Sequence, residues 1–468
     1  MEAIIRGVVG ALEDAHNVLV ISHIDTDGIS AAAIWDILLK DIEKTHLILH
    51  VEQLNPAVLQ KIKKIARRFD TIVFCDLGAG HLDLIVRILD NSKKIIIVDH
   101  HQPVLEHTSP ENRNIIHLNP MLHELDGTCY ASASALSYLV AREFYIKSIE
   151  RLSIVGSVGD RQDMRYHKLV GLNRVAVSDG IAEGSLIREV GPNFPGRATK
   201  PLRLLLSKYK DITLPGITDN EYGARLFFKR LGIEEIDKRG NYRTYLDLTP
   251  EEKEKLINGL IELCRDNGYD ENTISELKHE YYIFPGERDI PELRDASEFS
   301  TLLNACGRWK MTKIAMKLCE GDKNSYLGAI RILHLHRRKI SEGLREINEK
   351  GFKEVGRHII YFFSERIAPT IIGILLTMAI KSGIAKKNKV VVGASPKTRE
   401  LCKISMRIDR SLKEKGLDLA TAVEATCRFM GCNGGGHSIA AGATVPKKMI
   451  PGFLQGLDEN IDFQLSMR

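Results

Sequence analysis

At 468 residues, with 44% apolar and 27% charged side chains, the chain exceeds one ordinary hydrophobic core and predicts two or three domains. A formal charge of +5, from 66 basic against 61 acidic residues, is too small to argue nucleic-acid binding by itself but leaves polyanions admissible. Eight scattered cysteines without a CxxC pair, no signal-peptide pattern at Met1–Arg6, and an apolar stretch 367–380 broken by Pro369 and Gly373 exclude a disulfide scaffold and a membrane span. The expectation is a soluble, intracellular, multidomain protein.

Residues 1–190 alternate strand-like apolar runs with helical spacing, the pattern of a parallel α/β sheet. Val18-Leu19-Val20-Ile21 leads into Ser22-His23-Ile24-Asp25-Thr26-Asp27-Gly28, after which 29–40 has helical spacing. Residues 47–51 read as a second strand and 56–68 as a basic amphipathic helix. Thr71-Ile72-Val73-Phe74-Cys75 ends in Asp76, and Ile95-Ile96-Ile97-Val98 ends in Asp99-His100-His101. A small-residue-rich helix is predicted over 128–143, and the apolar run 152–158 leads into Gly159-Asp160.

After Gly191, Pro192, Pro195, Pro201 and Pro215 interrupt the alternation, and 191–305 reads as an inserted, mostly helical module. Thr249-Pro250-Glu251-Glu252 is a strong helix start, with a Thr cap, Pro in the first turn and Glu three residues after the cap. Residues 311–320 and 326–349 predict consecutive helices. A second α/β unit follows, with strands over 358–363, 389–394 and 401–407 and a helix over 367–382, and it closes with Gly434-Gly435-Gly436-His437-Ser438-Ile439-Ala440-Ala441-Gly442. Tyr281 and Tyr282 read as core, with base stacking as the alternative for them and for Trp309. The basic clusters at 61–68, 337–339 and 386–389 read as solvated faces more readily than as a nucleic-acid track.

Potential metal ligands therefore follow several apolar runs: His23, Asp25 and Asp27; Asp76; Asp99, His100 and His101; and Asp160. In a parallel sheet the carboxyl ends of the strands share one edge, where ligands bind. Carboxylates crowded there repel one another and need protons or cations. One ion cannot use all of these donors, so two divalent ions are the economical reading, and the mixed imidazole and carboxylate set suits Mn²⁺ better than Mg²⁺. Two metals about 3.5–4 Å apart suit phosphoester hydrolysis. The competing reading takes the acids as helix caps, Asp27 above all.

The segments His23–Gly28, Asp76, Asp99-His100-His101 and Ser157-Val158-Gly159-Asp160 resemble, in order and spacing, motifs I to IV of the DHH phosphoesterases, and 434–442 resembles the signature of the DHHA1 domain. Within that superfamily the chain is most similar to the archaeal RecJ-like exonucleases, including the GINS-associated nuclease. Leu303-Asn304-Ala305-Cys306-Gly307-Arg308 is similar to their INAAGR motif. The resemblance implies an α/β fold with a DHH catalytic domain over 1–190, the inserted module over 191–305, connecting helices over 306–349 and a smaller DHHA1 domain over 350–468, with the active site in the cleft between lobes.

It further implies one metal on His23, Asp25 and Asp76 and a second on Asp27, Asp76, His100 and Asp160. Asp76 bridges, His101 stands beside the scissile phosphate as a donor or acid, and Asp99 orients a histidine ligand. Asn304, Arg308, Ser405, Arg407, Gly434, Gly435, Gly436 and His437 would hold the substrate, with Arg399 a looser match. The implied activity is Mn²⁺-dependent exonucleolytic hydrolysis of single-stranded DNA (5′→3′) or RNA (3′→5′) in replication and repair, with Mg²⁺ or Co²⁺ as alternative ions. The implied setting is nucleoid-associated, with GINS and the replicative helicase as partners. The alternatives are an oligoribonuclease or hydrolase of small phosphoesters or pyrophosphate, and a GINS-bound scaffold.

Overall fold

The computed structural model describes residues 1–89, 93–104 and 114–466. The chain divides into two compact units, Met1–Ile330 and Arg331–Arg468.

In the first unit, β1 (Asn17–His23), β2 (Thr45–Val51), β3 (Thr71–Cys75), β4 (Lys94–Val98) and β5 (Ile115–Leu118) form an all-parallel sheet in the order β2-β1-β3-β4-β5. The central strands are covered on both faces, so they read as unbroken apolar runs. On one face Leu19, Ile21, Ile72, Phe74 and Ile97 pack with Leu59 and Ile62 of the helix Pro56–Ala66. The strand order reverses between β1 and β3, and ligands bind at such a switch point, outside the carboxyl ends of the strands. Strand β5, only four residues long, has no counterpart among the strands expected from the sequence.

Helix α1 (Thr26–Asp41) follows β1 directly. Helix α2 spans Ala133–Arg142 rather than 128–143, because the Ser132 side chain caps it by accepting from Ala135 N. The run 152–158 is not a strand: it lies in α3 (Glu150–Gly159), and Asp160 is that helix's C-cap. Asp160 thus reaches the sheet edge from a helix end. Periodicity does not separate a short buried helix from a short buried strand there.

The insert carries the helices Leu202–Ser207, Glu221–Leu231, α4 (Pro250–Asp266) and Glu271–Ser275 around its own core, with Phe194, Tyr209, Phe228, Tyr245 and Leu260 buried. Helix α4 starts with the expected Thr249–Glu252 capping box. The module is not wholly helical. Strands β6 (Ile187–Gly191) and β7 (His279–Ile283) pair antiparallel across its two ends, and Tyr281 and Tyr282 are buried there. Helices α5 (Ala296–Arg308), α6 (Thr312–Cys319) and α7 (Tyr326–Lys350) follow, the last carrying the chain into the second unit.

The second unit is a six-stranded mixed sheet of β8 (Lys353–Val355), β9 (Ile359–Phe363), β10 (Val390–Pro396), β11 (Leu401–Arg407), β12 (Asn433–His437) and β13 (Ala440–Pro446), ordered β12-β13-β11-β10-β9-β8. One face packs on α8 (Ile372–Lys381), which starts five residues later than expected from the sequence. The other packs on α9 (Leu419–Met430) and α10 (Ile450–Ser466). Among the described residues no helix is long and apolar enough to cross a membrane.

Candidate metal centre

Every metal-ligand candidate lies at the carboxyl edge of the first sheet, and three groups have ligand atoms within 4.8 Å of one another: His23, Asp25 and Asp76; Asp27, His100 and Asp160; and Asp76, Asp99, His100 and His101. Asp76 stands at the centre. Its Oδ2 lies 3.1 Å from His23 Nδ1 and its Oδ1 lies 3.3 Å from His100 Nε2. The backbone of Asp76 is left-handed (φ 59°), a costly conformation for a residue with a side chain, while its N–H donates to Val98 O of the neighbouring strand.

Asp25 and Asp27 have separate tasks. Asp25 is the N-cap of α1, accepting from Gly28 N, and its Oδ2 lies 3.0 Å from His23 Nδ1. Asp27, the residue most easily read as a cap, does not cap its own helix. Its carboxylate accepts from Ala133 N at 2.7 Å and Ser134 N at 2.9 Å, at the positive end of α2. Burial and the charge of Asp76 nonetheless push Asp27 up to about 7, and Asp160 adds to the rise. Burial and Asp76 raise Asp160 as well, although His100 opposes this.

His100 Nδ1 donates to Gly127 O at 2.7 Å, because a carbonyl can only accept. That tautomer leaves Nε2 bare, buried and without a hydrogen bond, 3.3, 3.5 and 3.8 Å from carboxylate oxygens of Asp76, Asp160 and Asp27. A bare imidazole nitrogen facing three carboxylates fits a divalent cation, and an oxygen-rich set with one or two imidazoles is a donor set such ions accept. Without an ion, the crowd of acids holds protons on the rings instead. Burial works against protonation of His23 and His100, but Asp25 and Asp76 outweigh it at His23, and Asp160 and Asp76 at His100.

Asp99 is expected to orient a histidine ligand, and the structure differs. The ring it holds is His101, with Nδ1 2.7 Å from Asp99 Oδ1, whereas Gly127 holds His100. Asp99 also accepts from the backbone N–H groups of Ala79, His100 and His101. These bonds, with the His101 contact, overcome burial and keep its carboxyl well below the usual range. Burial opposes protonation of His101, but Asp99 lifts it to about 9.

Helix α5 adds Asn304 and Arg308 to this unit. Thr26 Oγ1 donates to Ser300 O at 2.7 Å, so the helix lies on the loop between His23 and Asp27. Burial lowers the pKa of the Arg308 guanidinium, opposed by the charges of Asp25 and Glu52, and the preceding residue, Gly307, packs against the Ile24 carbonyl between His23 and Asp25. Ser405, Arg407, Gly434, Gly435, Gly436 and His437 belong to the second unit. Ser405, Gly442 and Gly435 share one row across β11, β13 and β12, and Arg407, Ala440 and His437 share another. Arg407 Nε donates to Thr377 Oγ1 of α8 at 3.2 Å, and Ser405 is buried. Arg399 is exposed before β11.

Sequence reasoning missed Gln162. Fully buried, it donates to Asp160 Oδ2 and Gly127 O and accepts from Asn173, tying the two residues that flank His100. It also missed Asn119, which donates to His101 O. A lone amide two residues past an acid, or just after a four-residue strand, leaves no periodic signal.

Family matches cover residues 17–155 (DHH family, N-terminal domain), 194–278 (DHH-CID domain) and 356–462 (DHHA1 domain). The uncharacterized protein MJ0831 of Methanocaldococcus jannaschii is 31% identical over 461 residues, which is 95% of this chain and 93% of that one. RecJ from Thermus thermophilus, solved in complex with Mn²⁺, is similar with a TM-score of 0.59 at 14% identity. The match takes in 98% of this chain but 55% of that one, so this chain spans about half of that RecJ. CDC45 from Entamoeba histolytica is similar with a TM-score of 0.65 at 13% identity over 98% of each chain. At these identities the two structures speak to fold, whereas the relative and the domain matches speak to descent. The chain belongs to the DHH/DHHA1 superfamily and has a RecJ-like fold.

Proposed function

We propose that this protein is a divalent-metal-dependent phosphodiesterase that removes nucleotides from an end of single-stranded DNA or RNA. The observation that carries the reading is the shared Asp76 carboxylate, one oxygen toward His23 and the other toward His100. His23, Asp25 and Asp76 would hold one ion, and Asp27, Asp76, His100 and Asp160 a second. Two bound cations supply Lewis-acid stabilisation of the charge that develops on the phosphate. Mn²⁺ is favoured by the imidazole share of the donors, with Mg²⁺ or Co²⁺ as substitutes, and by the Mn²⁺ complex of the similar RecJ.

The chain's own residues then divide the work. His101, protonated at neutral pH through Asp99, donates to a phosphate oxygen or to the leaving group. Arg308 adds positive charge next to the first ion, and Asn304, one turn earlier on α5, is a further polar contact for substrate. In the second unit Ser405, Arg407, His437 and the Gly434–Gly436 backbone would grip the terminal phosphate, Arg407 in bidentate fashion. The proposed division of labour is 1–190 catalytic, 191–305 inserted, 306–349 connecting and 350–468 substrate-binding.

The similarity to CDC45 over nearly the full length favours a second, compatible role at a replisome, with GINS and the helicase as intracellular partners. A scaffold alone has no use for a full set of ligands, which is why the enzymatic reading leads. The test uses DNA and RNA strands of about 20 nucleotides, labelled at either end, with Mn²⁺, beside a dinucleotide and the Asp76→Ala variant. The expected result is metal-dependent shortening of the long strands, lost in the variant. Turnover of the dinucleotide alone would favour a small-phosphoester hydrolase, and full activity of the variant would refute the shared carboxylate.

A further inference from the structure

The loop that follows Asp160 has an inner and an outer row of side chains. Inside, Gln162 is tied to Gly127 O, which also accepts from His100, and Asp163 Oδ2 lies 2.7 Å from His279 Nε2 with both residues buried. The loop backbone is fastened to β7 as well: Glu280 N donates to His167 O at 2.7 Å, and Leu169 N donates to Tyr282 Oη at 2.9 Å. Outside, Arg161, Arg165, Tyr166 and Lys168 are exposed.

The outer row has an aromatic partner. Tyr130 Oη lies 3.0 Å from Tyr166 Oη, with ring centroids 6.0 Å apart, and the Arg165 guanidinium lies 5.6 Å from the Tyr166 centroid. Tyr130 is set by a close approach: a β-carbon on Gly171, whose φ is +61°, would lie 2.7 Å from its ring. Of the acids nearby, Asp163 is engaged with His279 and Asp126 with Arg165 at 2.8 Å, while the half-exposed Glu276 carboxylate lies 3.9 Å from His167 Nδ1. Arg161 and Lys168 make no ion pair among the described residues, so the outward charge is positive.

We infer that the loop 161–168, together with Tyr130, is a track for the nucleotides next to the scissile phosphate, with the tyrosine rings stacking on a base and Arg161 and Lys168 facing backbone phosphates. Accessible rings between cations match the two faces of a single strand, and the match does not depend on base identity. The polar contacts beneath explain why Gln162 and Asp163 are buried: they hold the track in register with Asp160 and His100. The insert takes part, since β7 supplies His279, Glu280 and Tyr282. This inference rests on the proposed nuclease reading and names part of its substrate path.

The test is fluorescence anisotropy of a dye-labelled oligothymidylate of about 20 nucleotides with the full-length protein in EDTA, where no turnover occurs. Tyr166→Ala is expected to weaken binding by about five- to 100-fold, while Tyr166→Phe, which keeps the ring, binds like wild type. Lys168→Gln is expected to reduce the salt slope by about one. Mn²⁺ affinity of each variant, measured in parallel, should be unchanged and reports an intact centre. Wild-type binding by Tyr166→Ala, or equal loss in Tyr166→Phe, overturns the track, including the case in which this face serves a protein partner. If the wild type binds strands and the variants weaken as stated but no strand is hydrolysed with Mn²⁺, the track stands and the nuclease reading falls.

Discussion

Gly307 of α5 lies so close to Ile24 that a β-carbon on it would sit 1.7 Å from the Ile24 carbonyl oxygen. Ile24 separates His23 from Asp25, so this contact fixes the spacing between a helix that carries Arg308 and a loop that carries three candidate ligands. A methyl group cannot fit without moving one of them. Gly307→Ala is expected to lower Mn²⁺ affinity at least ten-fold and to cost about 1–3 kcal/mol of stability. Calorimetric titration with Mn²⁺ and urea unfolding check it, and wild-type affinity would mean the contact does not position Asp25.

The Asp99–His101 pair predicts a pH dependence. Asp99 raises His101 to about 9, and the donor role needs the protonated ring, so activity falls as pH rises through that value. Asp99→Asn removes the charge, lowers the His101 pKa and moves the alkaline limb of the rate profile to lower pH. The rate near neutrality should drop about 10–100-fold, the usual cost of losing a residue that orients an active histidine. An unmoved alkaline limb would remove His101 from the proton step.

At the start of α5, within the insert, lies a buried ion pair. Arg197 Nη1 lies 2.7 Å from Asp295 Oδ2, with both side chains almost fully buried, and its guanidinium covers the Tyr281 ring at 4.2 Å. Arg197→Met leaves Asp295 buried without its cation and is expected to destabilise the protein by about 3–5 kcal/mol. Adding Asp295→Asn should recover part of that loss, because Asn still caps α5. Urea unfolding of the single and double variants is the measurement.

Glu298 sits beside that pair, accepting from Ala198 N and the Thr199 hydroxyl. Burial and the charge of Asp295 push it up to about 7 from an ordinary 4.5. Its folded-state pKa is above its unfolded value, so folding takes up a proton. The stabilisation it provides as a neutral acid is present below about 4.5 and is lost as pH rises through about 7. Glu298→Gln should flatten this slope and stabilise the protein at pH 8 by up to about 3 kcal/mol. A thermal unfolding series across pH separates this from an unchanged profile.

Much of the site is legible because its chemistry is written in the chain as breaks. Val73-Phe74-Cys75 and Ile96-Ile97-Val98 stop abruptly at Asp76 and Asp99, and acids and histidines at a buried strand end need a cation, a hydrogen-bond partner or a substrate there. Asp160 joins the same cluster by a different route from the one its sequence suggests, since a seven-residue apolar run does not distinguish α3 from a strand. Asp27 resembles a cap of its own helix, because sequence does not reveal that α2 starts opposite it. Gln162, Asn119 and the β6–β7 clip depend on contacts between distant segments, and no local pattern encodes them.

One carboxylate shared by two ions is the centre of the proposed chemistry, and Mn²⁺ titration followed by electron paramagnetic resonance tests it most directly. Two ions bridged by Asp76 at about 3.5–4 Å are expected to give two Mn²⁺ per chain and a spin-coupled spectrum at full occupancy. Asp76→Asn is expected to bind more weakly and without coupling. A single Mn²⁺ per chain, or two that never couple in the wild-type protein, would contradict the shared site.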